Sequence, residues 1–303
     1  MSNQPPSEKK MSKYYPYKSL SRYEGLYGEF PCRAPTTYVG VEIELEKVKV
    51  ISSLPSSVSI TNDGSLKLDG KEFITVPIHF CYLEQELRRL FCAIKPPHVS
   101  QRCSIHVHLN ARDFTHHELY RFVLLYLIFE RSLFNFSGGR DNNIFCTPLY
   151  SYMPHVKKEV SKLVAGEGGI QYMSWHKYFA LNLCPIWGGD EGKVLGTVEF
   201  RHMAGTIDTE RIIEWINLIV SLKISAKKFG TDELLEHIKV MNTSSGYNWL
   251  VREVFREWCK HIVWQPTFKK DVEAGILAAK QLAFQQRVEE DAVEIAINNG
   301  GSQ

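Results

Sequence analysis

The sequence predicts an α+β fold, from the order in which two periodicities appear along the chain. Between residue 36 and about residue 206, short segments alternate apolar and polar residues with period two and are separated by turn residues. After Thr206 the pattern becomes helical and stays so almost to the end. Strands gathered first and helices last argue against a parallel doubly wound sheet, where the two would alternate throughout. A chain of 303 residues, 44% apolar and 12% aromatic, is long enough to bury a substantial core.

Each element follows from its own pattern. Residues 1–34 are polar, rich in Tyr and Lys and without periodicity, and are expected to form a loosely ordered arm. Short strands follow, "TYVGVEIELEKVKV", "ITNDGSLKL", "GKEFITVPI" and "SIHVHLNA", whose order implies a meander of neighbours. Helices with one apolar side are expected at about 81–94 and 116–135. Within the second, "FVLLYLIF" is too short for a bilayer and is bracketed by Arg121 and Glu130, so it reads as a buried helix. The loop "FSGGRDNNIFCTPL" carries Arg140 among Gly and Asn, a setting that suits either a ligand contact or plain solvation. "KYFALNLCPIW" and "TVEFRHMAGT" read as a hairpin with a Gly-rich connection. From the Asp208 cap onward, four segments continue in helical period, giving a division into an arm (1–34), a sheet-containing domain (35–229) and a helical extension (230–303).

Composition narrows the function classes. Thirty-six basic against 34 acidic residues give a net charge of +2, which points to neither nucleic acid nor an anionic membrane as partner. Seven cysteines form no C-x-x-C pair and the N-terminus has no apolar signal core, so reduced thiols and a cytoplasmic location are expected. There is no G-x-x-x-x-G-K-[ST] phosphate loop.

Three strands share a chemically potent face. Glu42 and Glu44 alternate with Val41, Ile43 and Leu45, and lie about 7 Å apart on one side of their strand. His106, His108 and Asn110 alternate with Ile105, Val107 and Leu109; Glu199 and Arg201 alternate with Val198 and Phe200. Any one strand fits a solvated face, a hydrogen-bonded histidine pair or a cross-strand ion pair. Together on one sheet they would be expensive to desolvate unless paired or coordinated to a cation. The excess of carboxylates suits Mg²⁺ or Mn²⁺, whereas the two imidazoles taken alone suit Zn²⁺. "NDGSL" adds Asp63 in an Asp-Gly turn and "KEF" adds Glu72 at a strand start. Glu46 continues the alternation and is expected at a solvated strand end.

The succession "GVEIE", "NDGSL", "KEF", "HVHLN", "GGRDNNIFC" and "TVEFRHMAGTID", over roughly residues 38–220, resembles the amidoligase family of bacteria and phages, within the glutamine synthetase and glutamate–cysteine ligase superfamily. The resemblance implies a glutamine-synthetase-like curved antiparallel sheet holding divalent cations between ATP and a carboxylate substrate. It implies metal ligation by Glu42, Glu44, Glu72, His106 and Glu199, with His106 favoured over His108 and Asp63 left open between ligand and turn. It also implies phosphate contacts by Arg201 and Arg140, and a place for Glu44 beside the nucleotide. The activity implied is an ATP- and Mg²⁺- or Mn²⁺-dependent carboxylate–amine ligase working through an acyl phosphate, in a bacterial or phage-infected cell. Its partners would be a small-molecule or peptide carboxylate and an amine acceptor. Against this stand a zinc hydrolase built on His106 and His108 with Glu199, which lacks H-E-x-x-H, and a catalytically silent phage binding or structural protein.

Overall fold

The computed structural model describes residues 38–164, 173–188 and 194–300, with side chains to residue 284. The expected N-terminal arm and part of the Gly-rich connection before Val194 lie outside the described residues. What is described is an α+β fold: an open, curved antiparallel sheet with helices packed on one face. Its strands are β1 (Tyr38–Leu45), β2 (Val58–Asn62), β3 (Lys71–Thr75), β4 (Ile78–His79), β5 (Ser104–Asn110), β6 (Leu181–Asn182) and β7 (Thr197–Ala204). Apolar positions on β1 decide which face meets the core: Val39, Val41, Ile43 and Leu45 are all buried, as are Ile105, Val107, Leu109, Val198 and Phe200.

The order across the sheet is β2-β3-β1-β5-β7-β6, with β4 beside β1. The expected meander is corrected here, because β1 inserts between β3 and β5 instead of pairing with β2. The segment "GKEFITVPI" also divides in two at Val76 and Pro77, proline having no N–H to give a ladder. The expected β6–β7 pairing is present.

Helix α1 (Phe80–Cys92) is followed, after β5, by α2 (His116–Ser137). A reciprocal Thr115–Glu118 capping box starts α2, and Gly138 ends it in the left-handed region with φ 108°. The run "FVLLYLIF" in α2 is buried as its sequence predicts, but burial extends beyond the one apolar side expected of the whole helix and takes in charged Arg121 and Glu130. It lies between the sheet and the C-terminal helices: Phe122 and Tyr126 meet Phe200 of β7 on one side. On the other runs α8 (Phe268–Gly300), whose Gly275 comes so close that an added Cβ would fall 2.1 Å from the Ile128 carbonyl oxygen. Between α2 and α8 in sequence come α3 (Met153–Val164), which the sequence reading did not anticipate, α4 (Thr209–Lys228), α5 (Thr231–Val240), α6 (Ser244–Phe255) and the short α7 (Lys260–Val263). Among the described residues no helix is long and apolar enough to cross a membrane.

Candidate metal centre

Backbone register brings the three polar faces together. Across β1 and β5, Glu42 stands opposite His106; across β5 and β7, His108 stands opposite Glu199; across β1 and β3, Glu44 stands opposite Glu72. A bulge sets Arg201 and His202 of β7 against the single residue His106, which buries His202 behind the sheet while Arg201 stays on the acidic face. Two groups of ligand atoms result, each with all its atoms within 4.8 Å of one another: Glu42, His108 and Glu199, and beside it Glu44, Asp63 and Glu72. Asp63 has the turn role, its Oδ1 accepting from the Ser65 amide at 2.7 Å, and its position in the second group is compatible with the ligand role as well.

The hydrogen bonds on this face bring imidazole nitrogens against carboxylates. The Ser104 hydroxyl has one proton, which it donates to Glu44. Toward His106 Nε2, 3.0 Å away, Ser104 can therefore only accept, which places a proton on Nε2. The other ring nitrogen, Nδ1, faces Glu42 Oε2 at 3.2 Å and Glu199 Oε1 at 3.5 Å. That nitrogen therefore stands between two carboxylates, a position from which it can meet a cation held by them. His108 adds a related signal: its buried Nε2 lies 3.2 Å from Glu42 Oε1 without an aligned hydrogen bond, while its Nδ1 is 3.0 Å from Thr197 Oγ1. A hydroxyl fixing one ring nitrogen while the other points into a carboxylate cluster is compatible with metal ligation and equally with an imidazole–carboxylate pair.

Burial pushes the Glu42 carboxyl up, but the close contacts and charges of His106 and His108 outweigh it and hold the group well below the usual range. Burial likewise raises Glu199, and the charge of Arg201, then of His108 and His106, brings it below its ordinary value. His108 is lowered by burial and raised further by Glu42 and Glu199, ending above normal. Glu72 goes the other way, to about 7, because burial and the neighbouring Glu42, Glu44, Asp63 and Glu199 all oppose its charge. Like charges opposed across β1 and β3, as Glu44 and Glu72 are, destabilise a sheet unless something positive lies between them.

The donor sets fit divalent cations. Glu44, Asp63 and Glu72 offer oxygen alone, suited to Mg²⁺ or Mn²⁺; Glu42, His108 and Glu199 mix carboxylate with imidazole, which also suits Zn²⁺. Of the five ligands expected from the sequence, Glu42 and Glu199 fall in one group and Glu44 and Glu72 in the other. His106 belongs to neither; it sits beside Glu42, with His108 occupying the ligand position in its place.

Two cavities open on this face. The larger, about 580 Å³, is floored by Glu42, Glu44 and Glu72 and walled by Arg102, Arg140 and Arg201. The smaller, about 270 Å³, is lined by His108, Lys177, Asn182 and Glu199, and shares Glu42, Tyr178 and Arg201 with the first. Arg201 pairs with Glu199 and donates through Nε to the Phe145 carbonyl at 3.0 Å. Arg140 donates to the carbonyls of Arg201 and Met203 at 3.1 and 3.3 Å, so it braces the bulged strand as well as facing the cavity. Glu46 is corrected: it is not a solvated strand end but 2% exposed, accepting from the Lys67 amide at 2.8 Å in a bridge to His98.

Ser104, Asn182 and Thr197 escaped the sequence reading. Ser104 and Thr197 each stand two residues from a recognised one, so extending the alternation finds them; Asn182, which donates to Glu199 Oε2 at 2.8 Å, needs the β6–β7 register. Lys177, Tyr178 and Arg102 come from loops and carry no periodic signal. No protein-family model matches the chain, and no curated protein matches it.

Proposed function

We propose that the chain is an ATP-consuming, divalent-metal-dependent carboxylate–amine ligase. The observation that carries this reading is the pairing of two adjacent acid-lined ligand groups with a cavity of about 580 Å³ walled by three arginines. Joining a carboxylate to an amine at neutral pH requires activation, here by transfer of the γ-phosphoryl of ATP to the carboxylate, after which the amine displaces phosphate. That transfer depends on positioning and charge neutralisation, and asks little covalent chemistry of the protein. Glu44, Asp63 and Glu72 would hold one cation, and Glu42, His108 and Glu199 another; bound there, they would supply the neutralising charge for phosphate oxygens. Arg201 borders both cavities and contacts Glu199 and Phe145; on this reading it is the residue that meets the transferred group. Lys177 borders only the smaller cavity, which on this reading receives the acyl donor or acceptor.

The test is incubation with ATP, Mg²⁺ and pooled carboxylates and amines, reading ADP release and new amide masses. No ADP and no new amide with any pool sinks the ligase reading. The mixed carboxylate and imidazole set of Glu42, His108 and Glu199 favours a second reading, a zinc hydrolase. Tightly held zinc with no stabilisation by ATP and Mg²⁺ would favour it over the first.

A further inference from the structure

Gly40 is a glycine that its strand does not demand. It sits in the middle of β1 opposite His108, and its φ is not in the left-handed region. A Cβ built on it would meet only the His108 Cβ at 3.5 Å, an ordinary contact. Glycine inside a strand weakens it, so neither conformation nor close packing accounts for the residue.

A third cavity lies here, of about 180 Å³, walled by Tyr38, Ile74, Pro77 and Leu195, with Glu42 and His108 at one end. Its origin is the break at Pro77. On that side β1 pairs with β4 at Tyr38 and Val39 and with β3 from Glu42 onward, leaving Gly40 and Val41 between the two ladders. The Val41 amide is satisfied by Thr75 Oγ1 at 2.9 Å, and the Thr197 hydroxyl is engaged by His108, so both threonine hydroxyls on the wall serve the protein itself. Asn110 also lines the cavity, with its side-chain oxygen accepting from the Arg112 amide at 3.3 Å, and away from Glu42 and His108 what remains for an occupant is mostly apolar. An engineered apolar cavity of about 150 Å³ takes up benzene, so this one holds a single small ring or a short branched chain.

We propose that this cavity is the specificity pocket for the side chain of a small apolar carboxylate, branched aliphatic or single-ring, whose carboxylate group reaches the Glu42, His108 and Glu199 centre. The inference rests on the ligase reading for its substrate but not for its pocket. Leu195 and His108 border both this cavity and the 270 Å³ one, so one molecule can place its head at the centre and its side chain over Gly40.

The experiment uses the full chain with the Ile74 δ1 methyl labelled for NMR. Benzene, added without metal or nucleotide, is expected to shift the Ile74 signal saturably in wild type and not in Gly40→Val. An unresponsive wild-type signal, whether because the pocket is closed or because another part of the chain fills it, overturns the proposal. Isovalerate is then compared with acetate in Mg²⁺ without ATP: tighter binding of isovalerate by about tenfold or more is expected, falling toward parity in Gly40→Val. Equal affinities in wild type overturn the proposal. Should Gly40→Val fail to fold, Gly40→Ala, which the 3.5 Å contact permits, must reduce the isovalerate preference with an unchanged amide spectrum. An unchanged preference in Gly40→Ala also overturns the proposal. Absence of ADP release with every substrate sinks the ligase reading alone and leaves these binding results standing.

Discussion

Glu199 answers to several partners at once: one oxygen meets Arg201 and lies 3.5 Å from His106, and the other accepts from Asn182. Glu199→Gln keeps the shape and removes the charge. It is expected to abolish divalent binding at the imidazole-containing group and ATP turnover together, with the circular dichroism spectrum unchanged. Retained turnover would mean that Glu199 only pairs with Arg201. Arg201 grips two acceptors with a planar fork, which lysine cannot do. Arg201→Lys is therefore expected to bind ATP nearly as wild type yet to form ADP about 10²-fold more slowly, read by rapid quench. Rates near wild type would reduce Arg201 to an ion-pair partner. Glu46 provides the contrast. Because it is buried and accepts the Lys67 amide, Glu46→Ala should cost about 1–3 kcal/mol in urea unfolding while leaving Mg²⁺ affinity intact.

At the scale of elements, β1, β5 and β7 were legible because a half-apolar strand repeats every two residues, and that rule placed Glu42, Glu44, His106, His108, Glu199 and Arg201 on their face; the exposed β2, at Val58–Asn62, starts and stops earlier than the "ITNDGSLKL" segment suggests. Apart from the β6–β7 hairpin, which strand lies beside which was not legible. Insertion of β1 between β3 and β5 is a non-local choice, so Glu44 and Glu72 gave no sign of facing each other. The central run of α2 read as buried from its sequence; what was hidden is that charged Arg121 and Glu130 at its edges are buried too, because the cover comes from distant elements such as α8, more than a hundred residues later. Glu46 was misread because alternation says which face a residue takes, not whether a loop then covers it. The register itself makes a prediction. With no cation present and at pH 8, where Glu72 is ionised, Glu44 and Glu72 repel across the ladder, so Glu72→Gln should melt higher than wild type in chelator, by an amount corresponding to about 1 kcal/mol. In Mn²⁺ the order should reverse, because wild type gains binding energy that the variant forgoes. A variant no more stable than wild type in chelator would show that the pair is relieved by something other than a metal.

Across the whole molecule, the sheet, the central helix and the loop after it are tied by one buried polar chain. Glu130 of α2 accepts from the Leu149 and Tyr150 amides at 2.6 and 3.0 Å and from the Tyr126 hydroxyl at 2.8 Å. That hydroxyl lies 2.7 Å from Nε2 of His202 in β7, behind the metal face. Burial raises Glu130 to about 7 even though its three donors oppose the shift, and burial, with the charge of Arg140, lowers His202 to about 3. The signs are opposite. A carboxyl raised in the folded state holds a proton that the unfolded chain has already released, so its contribution is complete below about pH 4.5 and is lost as pH rises toward 7. An imidazole kept neutral in the folded state contributes fully above about 6.5 and loses that contribution as pH falls toward 3. Between 4.5 and 6.5 the two slopes offset each other, so wild type alone would hide both. Glu130→Gln separates them. The stability of wild type minus that of the variant, from urea unfolding at half-unit steps, is expected to fall between pH 4.5 and 7 by up to about 1.4 kcal/mol per unit. A difference that stays flat would mean that Glu130 is ionised in the folded protein throughout, held so by its three donors, and that the chain is a fixed brace without a proton to lose.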